Sequence, residues 1–154
     1  MGCDKKLMST SNRLIKEFSD LKKEKDVNFK LSPNEQNLHQ WNGILNGPSG
    51  TPYQDEFFDI SCKIPVSYPI SPPEIVFKSK IFHPNIHSTT GEICLDILKS
   101  HWTPAWSLSL ACQALIVLLA NPEPSSPLNC DAGNLLRNND FRGFSSLSKI
   151  FTRL

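Results

Sequence analysis

Apolar residues near the start of the chain recur with the spacing of one helical face. This spacing, close to 3.6 residues, is typical of an amphipathic α-helix whose apolar stripe packs against a core. The pattern therefore predicts a first helix over residues 9–25. The residues that form the predicted stripe are Leu14, Ile15, Phe18 and Leu21.

After this helix the chain changes to the alternation of apolar and polar residues that is typical of β-strands. Four strands are predicted, and because short turns rather than long crossovers join them, we expect an antiparallel meander. Cys62 falls on an apolar face and is expected to be a core side chain. The apolar positions are Val27, Phe29 and Leu31; residues 38–45; Phe58, Ile60, Cys62 and Ile64; and Ile75 and Phe77.

A long segment without periodicity, residues 80–106, precedes a strongly apolar helix. Irregular segments of this length in a compact domain are usually functional. Ser107 is expected to cap the helix, which is apolar on more than half of its circumference and therefore central to the fold. Cys112 on this helix is expected to be packed. The apolar positions are Leu108, Ala111, Cys112, Leu115, Leu118 and Leu119.

A second irregular loop rich in proline follows, and then two short helices over residues 131–137 and 141–151. Asp140 is expected to cap the last helix. The fold class is α+β: an N-terminal helix, the four-stranded sheet, a central helix packed on the sheet and two C-terminal helices. We expect one domain, residues 1–154, with residues 1–8 as a flexible segment. The inward side chains of the last helix are predicted to be Phe141, Phe144, Leu147 and Phe151.

The composition is that of a globular domain: 39% of the residues are apolar, 20% are charged and the formal net charge is +1. This charge gives no indication of bulk attraction to nucleic acid or to a membrane surface. The five cysteines form no C-x-x-C pair, which argues against a disulfide framework and against structural zinc. We therefore expect a reducing compartment such as the cytosol.

Cys94 is the strongest candidate for a reactive side chain. It follows an amide, Asn85, and two imidazoles, His83 and His87, through a turn-forming Ser-Thr-Thr-Gly segment. Thiolate is the reactive form of cysteine, and an exposed loop makes it accessible. If Cys94 is exposed, the pattern indicates an enzyme of covalent transfer; if it is packed, that hypothesis fails.

Six motifs occur here in the order found in ubiquitin-conjugating enzymes (E2s), and the chain resembles that family from about residue 10 to its end. The resemblance implies the family fold. It also implies that ubiquitin is accepted from an activating enzyme (E1) as a thioester and passed to a substrate or to a ligase (E3). The motifs are Tyr68-Pro69, Pro72-Pro73, His83-Pro84-Asn85, Gly91-Glu92-Ile93-Cys94-Leu95, Trp102-Thr103-Pro104 and Ser126-Pro127-Leu128.

The resemblance assigns roles to five residues around the thiol. Cys94 matches the thioester cysteine, and Asn85 matches an asparagine that donates to the oxyanion or orders the loop. Asp96 is expected to orient the incoming lysine and to accept its proton. His83 is expected to be a packed support for the loop, and Ser126 to shape the entrance. His87 and His101 are expected to be surface residues.

The resemblance also implies partner surfaces. Ligases, of the RING type, would contact the first helix and two loops, although Ile70 stands where many relatives have an aromatic residue. Thioester-linked ubiquitin would pack against the outer part of the central helix. The expected ligase contacts are Arg13, Lys16, Ile70, Pro104 and Ala105, and the expected ubiquitin contacts are Gln113 and Val117.

Segments around Cys94, Trp102 and Ser126 are most similar to the peroxisomal branch of the family. This implies a cytoplasmic enzyme at the peroxisomal membrane, recruited through an anchor protein. No metal or organic cofactor is implied, because ATP is used by the upstream E1. Two alternatives keep the fold: a conjugating enzyme for another ubiquitin-like modifier, and a noncatalytic binding module.

Overall fold

Four antiparallel strands in sequential order form the scaffold of the part of the chain that the structure describes. The structure is a computed structural model that describes residues 2–25 and 28–154. The predicted meander and its α+β class are confirmed, and Val27 lies outside the described residues. The strands are β1 (Phe29–Asn34), β2 (Asn37–Asn46), β3 (Phe57–Lys63) and β4 (Glu74–Phe77), which pair in the order β1-β2-β3-β4.

The inner face of the sheet is buried and its outer face is not, as the alternation predicted. In β3, Phe58, Ile60 and Cys62 are buried, whereas Asp59 and Lys63 are exposed. Burial raises the pKa of the Cys62 thiol well above its ordinary value. Cys62 is therefore a core side chain, not a nucleophile.

In the described part of the chain, four α-helices accompany the sheet, and the central one packs against β1 and β2. Cys112 on this helix is fully buried, and burial raises the pKa of its thiol to about 12. Both cysteines predicted to be packed are therefore confirmed as packed. The helices are α1 (Gly2–Lys23), α2 (Leu108–Ala120), α3 (Cys130–Arg137) and α4 (Phe141–Thr152).

Helix α1 starts at Gly2 rather than at residue 9, so residues 2–8 are its first turns. Leu14 on this helix is fully buried, and Phe18 and Leu21 pack against the core. Ile15 is 57% exposed, so its assignment to the inner stripe was wrong. Consecutive helical residues point about 100° apart, and Ile15 therefore turns away from the face that Leu14 occupies.

The predicted caps are confirmed. Ser107 accepts a hydrogen bond from the amide of Leu110 at 3.2 Å, and Asp140 accepts one from the amide of Gly143 at 2.9 Å. Each satisfies a backbone donor that has no partner within its helix, which stabilises a helix by about 1 kcal/mol.

Only part of the predicted inner face of α4 is correct. Phe144 is buried and Phe151 packs against the core. Phe141 and Leu147 are 62% and 42% exposed, so both assignments were wrong. The reason is Ser148, which is fully buried and donates to the carbonyl of Phe144 at 2.7 Å. A small polar residue occupies the inner face, which the apolar pattern could not locate.

Among residues 2–25 and 28–154, no helix combines the length and the apolar content that a membrane span requires. The single domain over residues 1–154 stays a prediction.

Gly91 connects the loop before Cys94 to the sheet. Its backbone is left-handed, with φ of 75°, and its carbonyl accepts from the amide of Phe77 at 2.9 Å. A Cβ atom here would lie 1.9 Å from the carbonyl oxygen of Phe77. Gly50 has almost the same φ, 76°, but an added Cβ there would meet nothing within 4 Å.

We expect Gly50→Ala to cost about 1 kcal/mol of unfolding free energy, because only the left-handed backbone is unfavourable. Gly91→Ala should cost at least about 2 kcal/mol more, because the loop must also move away from β4. Urea denaturation of both variants checks this. Equal losses in the two variants would show that the contact of Gly91 with Phe77 does not constrain the loop.

Candidate active site

Cys94 lies at the end of a tight loop that begins at Asn85. Ile86 and Ile93 are buried and pair with each other across this loop. The amide of Cys94 donates to the carbonyl of Asn85 at 2.8 Å. Because Cys94 directly follows buried Ile93, its own side chain is exposed. An exposed thiol on a fixed backbone is what a cysteine nucleophile requires.

The side chain of Asn85 binds the loop that follows α2. Its Nδ2 donates to the carbonyl of Glu123 at 2.8 Å, and its Oδ1 accepts from the amide of Glu123 at 2.8 Å. Asn85 is 2% exposed, so losing these bonds would leave buried polar groups without partners. This arrangement supports the loop-ordering role. The second Nδ2 hydrogen leaves the oxyanion role open.

His83 lies behind the loop and is fully buried. Its Nδ1 accepts from the amide of Asn85 at 3.0 Å, and its Nε2 lies 2.9 Å from the carbonyl of Leu118. Nδ1 is thus unprotonated and Nε2 carries the hydrogen, which defines one neutral tautomer. Burial lowers the pKa of His83 from 6.5 to about 4. A neutral, enclosed ring of this kind can support the loop but is not placed to act as a base for Cys94.

Pro84 fixes the start of the C-terminal segment that carries α3 and α4. Its carbonyl accepts from the amide of Leu128 at 2.8 Å and from the amide of Asn129 at 3.1 Å. Asn129 then caps α3 by accepting from the amide of Ala132 at 3.1 Å. Residues 83–85 therefore hold α2, the Cys94 loop, the loop after α2 and the start of α3 together.

Asp96 opens a short 3-10 helix (Asp96–Leu98) two residues after the thiol. Its carboxylate is exposed and lies 3.5 Å from Nδ1 of His101. The prediction that His101 is a surface residue holds, but its ring is also the neighbour of the carboxylate expected to orient lysine. Ser126 is exposed on the loop after α2.

His87 is half-buried rather than a free surface residue. Its Nδ1 accepts from the amides of Thr89 and Thr90 at 3.2 and 3.1 Å. The ring therefore shapes the turn that leads to Gly91 and Cys94, a structural contribution that the sequence reasoning did not assign.

Glu123 is a site residue that the sequence reasoning missed. Besides its backbone contacts with Asn85, its carboxylate accepts from the hydroxyl and the amide of Ser125, at 2.6 and 3.1 Å. These two hydrogen bonds lower the pKa of the Glu123 carboxyl. The available signal was the Pro-Glu-Pro-Ser sequence, which places an acid in a rigid loop two residues before a hydroxyl.

Arg13, the first of the expected ligase contacts, is held at the surface by a buried carboxylate, that of Glu17. Its Oε2 accepts from Arg13 at 3.0 Å and from the hydroxyl of Tyr68 at 2.6 Å, and its Oε1 accepts from the amide of Leu108 at 2.7 Å. Arg13 also donates to the carbonyl of Pro104 at 3.1 Å. The guanidinium is therefore fixed at this surface rather than projecting freely from it. The other expected ligase contacts, Lys16, Ile70, Pro104 and Ala105, are exposed.

The two expected ubiquitin contacts on α2 differ in their freedom. Val117 is 59% exposed, so it is not part of the core. Gln113 is half-buried and donates to the carboxylate of Glu24 at 3.1 Å. Only Val117 therefore presents an unobstructed side chain, and Gln113 would have to release Glu24 to bind a partner.

Within the described parts of the chain, no group of three or more His, Cys, Asp or Glu side chains is arranged to hold a metal ion.

The buried neutral His83 makes stability depend on pH. Its pKa is about 4 in the folded chain and 6.5 when unperturbed, so between these values the unfolded chain binds more protons. Lowering the pH from 7 to 4 should therefore remove about 3 kcal/mol of unfolding free energy through this residue. His83→Gln should be less stable than the parent at pH 7, and the difference should shrink by about that amount at pH 4.

Urea denaturation at the two pH values measures this difference. His101→Gln, which replaces an exposed histidine, is the control, and its unfolding free energy should change with pH as that of the parent does. A gap between parent and His83→Gln that stays constant with pH would contradict the assigned protonation state.

Comparison with known proteins gives this geometry its context. The profile of the ubiquitin-conjugating enzyme family matches residues 13–150. Protein PEROXIN-4 of Arabidopsis thaliana is 48% identical over 150 residues, covering 96% of each chain. Ubiquitin-conjugating enzyme E2 pex4 of Dictyostelium discoideum is 48% identical over 143 residues, covering 92% of this chain and 96% of that protein.

One solved structure has a fold that is very similar to the fold of this chain. It is the H. polymorpha ubiquitin conjugating enzyme Pex4p in complex with the soluble domain of Pex22p. The two superpose with a TM-score of 0.91 at 37% identity, covering 94% of this chain and 97% of that one. Family profile, relatives and fold agree with the motifs: this chain belongs to the ubiquitin-conjugating enzyme family, in its peroxin-4-like branch.

Proposed function

We propose that Cys94 receives the C-terminal acyl group of ubiquitin from an E1 and passes it to an amine of a protein substrate or to a ligase. The observation that carries this is the exposed thiol on a backbone fixed by Asn85. In the first step the Cys94 thiolate attacks the E1–ubiquitin thioester carbonyl, a new C–S bond forms and the E1 thiolate leaves. ATP is consumed earlier, by the E1, and this chain needs no cofactor of its own.

Asn85 is proposed to act mainly by holding the loop after α2 against the thiol. Its two bonds to the backbone of Glu123 support this role. If the side chain turns toward the carbonyl, its second Nδ2 hydrogen donates a hydrogen bond to the oxyanion. In acyl transfer such a donor is typically worth about 3 kcal/mol. His83 fixes the position of Asn85 from behind, and Ser126 shapes the entrance.

Asp96 is proposed to orient the incoming lysine. It is exposed and lies two residues from Cys94 at the start of the short 3-10 helix. A neutral amine is required for attack, so a carboxylate that attracts the lysine and takes up its proton assists the second step.

Ligases of the RING type are proposed to dock where Lys16, Ile70, Pro104 and Ala105 are exposed, around the fixed Arg13. Ile70 is 71% exposed, and its aliphatic side chain offers less hot-spot area than an aromatic one, which would narrow the set of ligases. Val117, with Gln113 beside it, is proposed to pack against the linked ubiquitin.

The setting is proposed to be the cytoplasmic face of the peroxisome. The similarity of this chain to the peroxin-4 relatives supports this location. The H. polymorpha Pex4p was solved with a soluble domain of Pex22p, which supports recruitment of this chain by an anchor protein of that kind.

Incubation with E1, ATP and ubiquitin tests the proposal. We expect an adduct that thiol reductants remove and that is absent in Cys94→Ala, because of the two exposed thiols that the structure describes, Cys94 is the one on the loop fixed by Asn85. Cys130→Ala, which also removes an exposed thiol, is the matched control and should still form the adduct.

If an adduct forms only with another ubiquitin-like modifier, Cys94 carries that modifier and not ubiquitin. No adduct with any modifier would contradict the carrier function and favour a binding module of the same fold.

A further inference from the structure

The loop after α2 carries a carboxylate with a defined orientation. Oε1 of Glu123 accepts from both the hydroxyl and the amide of Ser125, at 2.6 and 3.1 Å. The hydroxyl bond is the stronger cause of a lowered pKa of the Glu123 carboxyl, which keeps it ionised at neutral pH. An exposed Glu side chain is ordinarily free to rotate, so two bonds from one neighbour are a specific local arrangement.

No cation among the described residues neutralises this carboxylate. In the region that the structure covers, residues 2–25 and 28–154, no Lys, Arg or His nitrogen lies within 4.0 Å of it. Glu92, by contrast, pairs with Lys99 at 3.3 Å. Arg137 contacts the same loop, but through the carbonyl of Pro124. The Glu123 carboxylate is therefore exposed and carries a negative charge that no described cation neutralises.

Glu123 is tied to Cys94 through a single residue. The side chain of Asn85 bonds both the amide and the carbonyl of Glu123, while the carbonyl of Asn85 bonds the amide of Cys94. The backbones that carry the carboxylate and the thiol are thus fixed to the same buried asparagine.

We propose that the Glu123 carboxylate is a further catalytic group for lysine transfer: it orients the incoming amine at Cys94 and stabilises the positive charge that forms on its nitrogen. This inference rests on the proposed function, because it presupposes an acyl group on Cys94.

The step balances without a further reactant. The lone pair of a neutral lysine nitrogen attacks the thioester carbonyl, a C–N bond forms and the carbonyl electron pair moves to oxygen. The nitrogen is then positively charged and lies against the carboxylate. The oxyanion collapses, the C–S bond breaks, Cys94 leaves as a thiolate and the nitrogen releases its proton to water.

The charge sign provides the test. The Cys94-linked ubiquitin of the parent and of Glu123→Gln is isolated, and its decay is followed in excess free L-lysine and, separately, in β-mercaptoethanol. Lysine develops positive charge during attack, whereas the thiol attacks as an anion. Glu123→Gln should slow decay in lysine about fivefold and leave decay in β-mercaptoethanol unchanged or faster, because an exposed charge contributes modestly in water. Raising the salt concentration should reduce the lysine effect.

Glu35→Gln is the matched control, since Glu35 is an exposed carboxylate in the turn between β1 and β2. It should leave both rates unchanged. Ser125→Ala removes the stronger of the two orienting bonds and keeps the charge, so it should slow only the lysine reaction, by about twofold.

Equal slowing of both nucleophiles in Glu123→Gln would indicate a disturbed loop and would overturn the inference, as would an unchanged lysine rate. If the parent forms no thioester at all, the proposed function fails before Glu123 is tested. The two failures are therefore distinguishable.

Discussion

The candidate site depends on the hydrogen bonds of three consecutive residues, His83, Pro84 and Asn85. Together these bonds join four other parts of the chain to this segment: α2, the Cys94 loop, the loop after α2 and the start of α3. Most of these groups are buried, so a bond that is lost is not replaced by water and costs about 1–3 kcal/mol. The segment therefore keeps two irregular loops in a fixed relation, although neither loop has regular secondary structure.

The position of His83 shows that burial separates the residues that support the site from the residues that can react. The ring lies close to the thiol in sequence, yet it is enclosed, neutral and occupied on both nitrogens. Cys94 itself is exposed, as are Asp96 and Glu123. The buried layer thus contributes geometry, and the exposed layer contributes the nucleophile and the charges. Charged groups at the surface keep their hydration until a substrate arrives, which avoids the desolvation cost of a buried carboxylate.

The sequence predicted those features that depend on local periodicity or on short motifs. Strand alternation located β3, and the cap residues Ser107 and Asp140 located two helix starts, because both signals act within a few residues. The inner face of α4 was only partly predicted. Apolar residues lie all around that helix, and the position that determines the face is a serine, Ser148.

The site shows the same limit. Cys94 and Asn85 could be recognised from their motif, but the partner of Asn85 could not. Glu123 is 38 residues further along the chain, and a bond between a side chain and a distant backbone has no signature in either segment. Arg13 is similar: its sequence position indicates a contact surface, whereas only the fold shows that its guanidinium is occupied by Glu17 and by the carbonyl of Pro104.

The central claim is that the Asn85 side chain, and not only its backbone, holds the loop after α2 against the thiol. Amide hydrogen exchange of Asn85→Ala tests it most directly. The amide of Glu123 loses the acceptor that it has among the described residues and should exchange about tenfold faster, while the amide of Cys94, bonded to the Asn85 carbonyl, should keep its protection. Unchanged protection at Glu123, or equal loss at both amides, would contradict the claim.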